Sequence, residues 1–110
     1  MALIYISIGS NIERDLHISA AYLELSALFG EIRCSAVYES EAVGFDGDAF
    51  YNLVAQANTH LSVADCVAAF KAIEQKYGNV SKCKGFLMFS AYWCDDEGTQ
   101  RILGLALHSL

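Results

Sequence analysis

Several short segments of this sequence carry side chains suited to holding a polar ligand. Gly9-Ser10-Asn11 lies between an apolar run and a helical pattern, where free backbone N–H groups and a positive helix end can hold a polar group. Taken alone, the tripeptide reads first as plain N-capping by Ser10 or Asn11. Phe50-Tyr51-Asn52 opens an alternating segment, so Phe50 and Asn52 are expected on one face. An aromatic ring beside an amide can stack on a flat heterocycle and hydrogen-bond it, since Asn offers a donor and an acceptor. The same pair reads equally as a core aromatic beside a satisfied Asn. Glu74 stands near the end of a helical pattern, where a lone Glu is usually solvated, and Asp95-Asp96-Glu97 has the chemistry to bind Mg²⁺ but equally that of a soluble turn. His17, His60 and His108 share no metal-ligand spacing with each other or with the cysteines. There is no P-loop, no GxSxG and no RNA-binding signature.

The elements that must position these residues follow from periodicity. Leu3 to Ile8 reads as a buried strand. From Ile12 to Phe29 the period becomes helical, with Ile12, Leu16, Ala20, Leu23 and Ala27 as the expected buried stripe and Gly30 as the stop. Glu31 to Glu39 alternates as a second strand, with Ile32, Cys34, Ala36 and Tyr38 on one side and Arg33, Ser35 and Glu39 on the other. Residues 40–48, with Gly44 and Gly47 among Glu41, Asp46 and Asp48, form an expected exposed loop. Phe50 to His60 is a third strand, and Ser62-Val63-Ala64-Asp65 has the form of a capping box. A helix stripe follows through Val63, Cys66, Val67, Phe70, Ile73 and Tyr77, stopped by Gly78. Phe86 to Cys94 is the next strand, and Gln100 to Leu107 returns as an extra C-terminal strand after the Asp95–Gly98 turn. The order βαββαβ predicts an α+β fold, a ferredoxin-like α/β sandwich with two helices on one face of an antiparallel sheet.

The 110 residues are 55% hydrophobic and 18% charged, which fits one domain over 1–110 with a single core. Seven basic and thirteen acidic residues give a net charge of −6, so nucleic acid is not expected as a partner. No apolar run reaches the length of a membrane span, and the N-terminus lacks the pattern of a secretory signal. Cys34, Cys66, Cys83 and Cys94 form no CxxC motif and read as free thiols of a cytoplasmic protein.

Taken in order, several motifs resemble the hydroxymethyl-dihydropterin pyrophosphokinase family of folate biosynthesis. They are Tyr5-Ile6-Ser7-Ile8-Gly9-Ser10-Asn11-Ile12, Ser35-Ala36-Val37-Tyr38-Glu39-Ser40-Glu41-Ala42-Val43-Gly44, Phe50-Tyr51-Asn52-Leu53-Val54 and Lys71-Ala72-Ile73-Glu74. The resemblance covers about the first eighty residues. It implies the same ferredoxin-like fold and a transferase that moves pyrophosphate from ATP to a pterin hydroxymethyl group with two Mg²⁺ ions. It further implies that Ser10, Ser40, Glu41, Val43, Phe50 and Asn52 hold the pterin and that Glu74 lies on the nucleotide side. This chain has Glu41-Ala42 where the family usually has an acidic or polar residue followed by Pro.

After Gly78 the resemblance stops. The family continues with an Arg-rich stretch, Pro-Arg-Thr and an Asp-x-Asp strand, whose arginines neutralise phosphates and whose aspartates hold both metal ions. Here the run is Asn79-Val80-Ser81-Lys82-Cys83-Lys84-Gly85-Phe86-Leu87-Met88-Phe89-Ser90. Asp95-Asp96 is no substitute, because adjacent residues on a strand face opposite sides. Lys82 and Lys84 offer only a weak attraction for phosphate.

The expectation is a truncated homologue that keeps the pterin half-site and loses the metal and arginine half, with weak or no catalysis. It has no catalytic or metal residue to name, no retained cofactor, and needs Mg²⁺ and ATP only if the family activity survives. The alternative is a non-enzymatic structural or interaction module, a homo-oligomer joined through Phe86, Phe89, Tyr92, Trp93, Ile102, Leu103, Leu105 and Leu107. A working kinase with rearranged metal ligands is the third reading.

Overall fold

The computed structural model describes residues 1–40, 49–77 and 87–103. Glu41, Val43, Lys82, Lys84, Phe86, Leu105 and Leu107 lie outside the described residues. The described elements are β1 (Ala2–Ser10), α1 (Arg14–Phe29), β2 (Arg33–Cys34), β3 (Tyr38–Ser40), β4 (Phe50–Thr59), α2 (Val63–Lys76), β5 (Met88–Cys94) and β6 (Gln100–Leu103). The sheet runs β2-β4-β1-β5-β6, with β3 also paired to β4. Every pairing is antiparallel. This is the α+β, ferredoxin-like arrangement with the extra strand β6 at one edge.

Alternation in the central strands sets the two faces. Ile4, Ile6 and Ile8 of β1, Leu53, Ala55 and Ala57 of β4, and Phe89 and Ala91 of β5 are buried in one cluster with Ala21 and Leu25 of α1 and Cys66, Phe70 and Ile73 of α2. Their neighbours along the strands turn to the face without helices among the described residues. Helix α2 starts as its capping box predicts, with the Ser62 hydroxyl accepting from the Asp65 N–H at 3.2 Å. The two helices are tied at one end, where Glu24 accepts from the Lys76 ammonium (2.6 Å) and the Tyr77 hydroxyl (2.8 Å). These bonds hold the Glu24 carboxyl below its usual pKa. No helix among the described residues is long and apolar enough to cross a membrane.

Two expectations are corrected. Helix α1 does not bury Leu16, Ala20, Leu23 and Ala27; Leu16 is 59% and Leu23 67% exposed, and the face on the sheet is His17, Ala21 and Leu25. The helix carries apolar residues on both sides, so spacing alone does not choose between them. The second strand is also not continuous. Arg33 and Cys34 lie opposite Gln56 and Ala55, whereas Tyr38, Glu39 and Ser40 lie opposite Asn52, Tyr51 and Phe50. Between the two segments the register slips by one residue, as at a β-bulge. Ser35 bridges the slip, its N–H donating to the Val54 carbonyl (2.8 Å) and its hydroxyl accepting from the Val54 N–H (2.9 Å). The slip places Glu39 on the same side as Tyr51, and Ser40 on the same side as Phe50.

The apolar load of the last described strands is divided. Phe89 and Leu103 belong to the core and Trp93 packs against it, its indole N–H donating to the Leu61 carbonyl at 3.3 Å. Ile102 is left 72% exposed.

Candidate functional site

The turn from β1 into α1 is held by its own side chains. Ser10 is fully buried, and its hydroxyl donates to the Ile12 carbonyl at 3.1 Å. His17 Nδ1 donates to the same carbonyl at 2.6 Å, with its ring edge-on to Tyr77. Neither Ser10 nor Asn11 caps the helix. The N-cap position is Glu13, in the left-handed region at φ 44° with no side-chain cap bond, a conformation that costs a non-glycine residue of the order of 1 kcal/mol. Asn11 is buried, and its Oδ1 has no partner among the described residues.

Beside this turn, on the face away from the helices, three of the sequence-predicted residues meet. Gly9 lies opposite Asn52 in the β1–β4 register. A Cβ built on Gly9 would stand 3.2 Å from Asn52 Oδ1 and 3.7 Å from Phe50 Cδ1, so both side chains lean over the glycine and occupy the same face. Asn52 Nδ2 donates to the Ser40 hydroxyl at 2.7 Å. That bond fixes the amide plane and turns Oδ1 toward Gly9. Phe50, Asn52 and Ser40 therefore form one cluster, an aromatic ring beside an oriented amide, which is the set needed to stack on a flat heterocycle and read its donors and acceptors.

The structure separates two other predicted residues from this cluster. The Ser10 side chain points to the helix-covered side, so only its backbone borders Gly9 on the other. Glu74 is 5% exposed, and its Oε2 accepts from the Phe89 N–H at 2.8 Å. Burial pushes its carboxyl above the usual range, against the smaller opposing effects of the Phe89 N–H and of Lys71. Among the described residues β6 pairs with Ala91 to Cys94, and Glu74 serves the backbone of β5 at Phe89, two residues before that stretch.

The side chains around Gly9 and at the acidic turn do not suit Mg²⁺. Met88 lies opposite Gly9 on β5, and a thioether is a soft, neutral group that a hard cation does not choose. Asp95 Oδ1 accepts from the Glu97 and Thr99 N–H groups (3.0 and 2.8 Å), and Asp96 Oδ2 accepts from the N-terminal ammonium at 2.9 Å. Asp95 is thus occupied in holding its own hairpin, and Asp96 in binding the N-terminus. Among the described residues no three His, Cys, Asp or Glu side chains converge as metal ligands. The described residues do not fit the two metal ions that the family resemblance implies.

Sequence reasoning missed the support behind the cluster. Arg14, Glu39 and Tyr51 form a stacked, hydrogen-bonded group on the opposite side of the same strands. No local signal marks it, because it depends on the register slip. The role of Gly9 had a signal, a glycine at the end of a strand where a large side chain would be ordinary.

Comparison with known proteins agrees with this architecture. Residues 5–88 match the family described as 7,8-dihydro-6-hydroxymethylpterin-pyrophosphokinase (HPPK). Two relatives, each named 2-amino-4-hydroxy-6-hydroxymethyldihydropteridine pyrophosphokinase and found in two strains of Porphyromonas gingivalis, are 34% identical over 88 residues, which is 77% of this chain. The chain spans about 60% of the length of these relatives. With the motif order, the ferredoxin-like sheet and these matches in agreement, the chain belongs to the HPPK family.

Proposed function

We propose that the protein binds a pterin-like heterocycle through Phe50, Asn52 and Ser40 over Gly9, and transfers pyrophosphate weakly or not at all. The observation that carries this reading is the convergence of the Phe50 ring and the Ser40-anchored Asn52 amide over Gly9, whose missing side chain lets both approach the strand closely. The Asn52 amide is oriented before any ligand arrives, which lowers the ordering cost of binding. Ser10 through its backbone, with Glu41 and Val43, is proposed to complete the pocket, and Glu74 to lie on the nucleotide side. Cys34, Cys66 and Cys94 are free, in keeping with a cytoplasmic protein.

Calorimetric titration with 6-hydroxymethyl-dihydropterin tests the reading. Asn52→Ala removes an oriented donor and acceptor and is expected to weaken binding by about 10- to 100-fold. Gly9→Ala, which presses on Asn52 Oδ1, is expected to weaken it by about tenfold. Wild-type affinity in Asn52→Ala would return this residue to a purely structural role and remove the proposal.

A second reading is self-association through the last strands. It is supported by Ile102 beside the paired rings of Tyr5 and Tyr92, around a shallow hollow of about 310 Å³ on the face away from the helices. Sedimentation should then show a dimer that Ile102→Glu dissociates. A monomer at high micromolar concentration would eliminate this reading.

A further inference from the structure

Arg14 opens α1, and three contacts radiate from its guanidinium. Its central carbon lies 3.9 Å from the centroid of the Tyr51 ring. Nη1 donates to Glu39 Oε2 at 2.9 Å and to the Ala49 carbonyl at 2.9 Å. Glu39 and Tyr51 are direct partners in the β3–β4 register, and Ala49 immediately precedes β4. One side chain from the helix layer therefore grips both strands at a single level.

Each clasped residue is a chain neighbour of a residue in the cluster on the other face. Ser40 follows Glu39, Phe50 sits between Ala49 and Tyr51, and Asn52 follows Tyr51. We propose that Arg14 is a positioning residue for the heterocycle site. From behind the sheet it fixes the spacing of β3 and β4, and so holds the Ser40–Asn52 hydrogen bond and the Phe50 ring in the arrangement that receives the ligand. This rests on the pterin-binding reading given above.

The chemistry of the contact suits that task better than it suits global stability. Glu39 is 58% exposed at its side chain and Arg14 28%, and such ion pairs add little to unfolding free energy. A planar guanidinium, however, stacks on a ring and donates along fixed directions at once, which an ammonium cannot do. Among the described residues β3 pairs through Tyr38, Glu39 and Ser40, and a strand segment held by few pairs opens locally at low cost unless something holds it. A site placed on such a strand needs supporting contacts to keep its geometry.

The experiment compares wild type, Arg14→Ala, Arg14→Lys and Asn52→Ala by calorimetric titration with 6-hydroxymethyl-dihydropterin, urea unfolding and amide hydrogen exchange. Arg14→Ala is expected to weaken pterin binding by about tenfold with the urea midpoint nearly unchanged. The amide of Asn52, which faces β3, should exchange faster in the ligand-free variant. Arg14→Lys should recover only part of the affinity, because it restores the charge without the fork. Wild-type affinity in Arg14→Ala would overturn the proposal, as would unchanged exchange at Asn52. If wild type itself does not bind the pterin, the function reading fails and Arg14 positions no such ligand; the exchange data then still decide whether the clasp exists.

Discussion

Mixed with MgATP and 6-hydroxymethyl-dihydropterin, the protein should release AMP at least about 1000-fold more slowly than the full-length Porphyromonas gingivalis relative under the same conditions. Phosphoryl-type transfer depends on neutralising charge at the moving group, and a single arginine at such a site is worth roughly 10³ to 10⁵ in rate. The resemblance implies arginines and an Asp-x-Asp strand for that task. On β5 this chain instead reads Met88-Phe89-Ser90, with Phe89 wholly buried and Met88 facing Gly9. Neither a thioether nor a hydroxyl replaces a pair of carboxylates for a hard cation. Release of labelled AMP, followed over hours with enzyme in excess, is the measurement. A rate within tenfold of the relative would mean that metal ligands and cations are supplied from elsewhere in the protein, and the weak-catalysis reading would be abandoned.

The largest stability effect is expected at Glu74. Replacing it with Ala leaves the buried Phe89 N–H without its acceptor, which costs about 1–3 kcal/mol before any cavity is counted. Glu74→Gln keeps an acceptor oxygen and should stay close to wild type at low pH. The two proteins should then diverge as pH rises, because burial raises the Glu74 carboxyl above the usual carboxylate range. In the window between the unfolded pKa and this raised folded value, the folded state holds more protons than the unfolded one, so wild-type stability falls with increasing pH. It levels off above the folded pKa, while Glu74→Gln lacks this contribution throughout. Urea midpoints collected from pH 4 to pH 8 check both effects. An Ala variant as stable as wild type would show that the Phe89 N–H finds another partner.

How much could be read in advance depended on whether the determining contact was local. The cap at Ser62 was legible because its partner Asp65 lies three residues away. The stripe through Cys66, Phe70 and Ile73 was legible because only one side of α2 is apolar. In α1 the same reasoning chose the wrong side, since Leu16 and Leu23 compete with Ala21 and Leu25 and the buried face includes the polar His17. A lone helix Glu reads as solvated and the resemblance puts Glu74 on the nucleotide side, yet its place one turn after Phe70 on the buried stripe is a usable signal of burial. Phe50 and Asn52 were correctly assigned to one face by alternation. The Ser40 partner and the Arg14 group were not accessible in that way, because alternation assumes an unbroken register and theirs slips by one residue.

That slip also affects how this margin of the sheet meets other chains. An unpaired strand edge invites a neighbouring polypeptide to add on in register, the first step toward edge-to-edge aggregation. Such addition requires a long, regular row of free N–H and carbonyl groups. Beyond β4 the described residues present the two of β2 and the three of β3. Between them the Ser35 hydroxyl serves as a backbone substitute, accepting from the Val54 N–H while donating to the Ala36 carbonyl at 3.0 Å. An incoming strand that matched one segment would be out of step with the other, so the irregularity that aims Ser40 at Asn52 also denies this margin to intermolecular β-pairing.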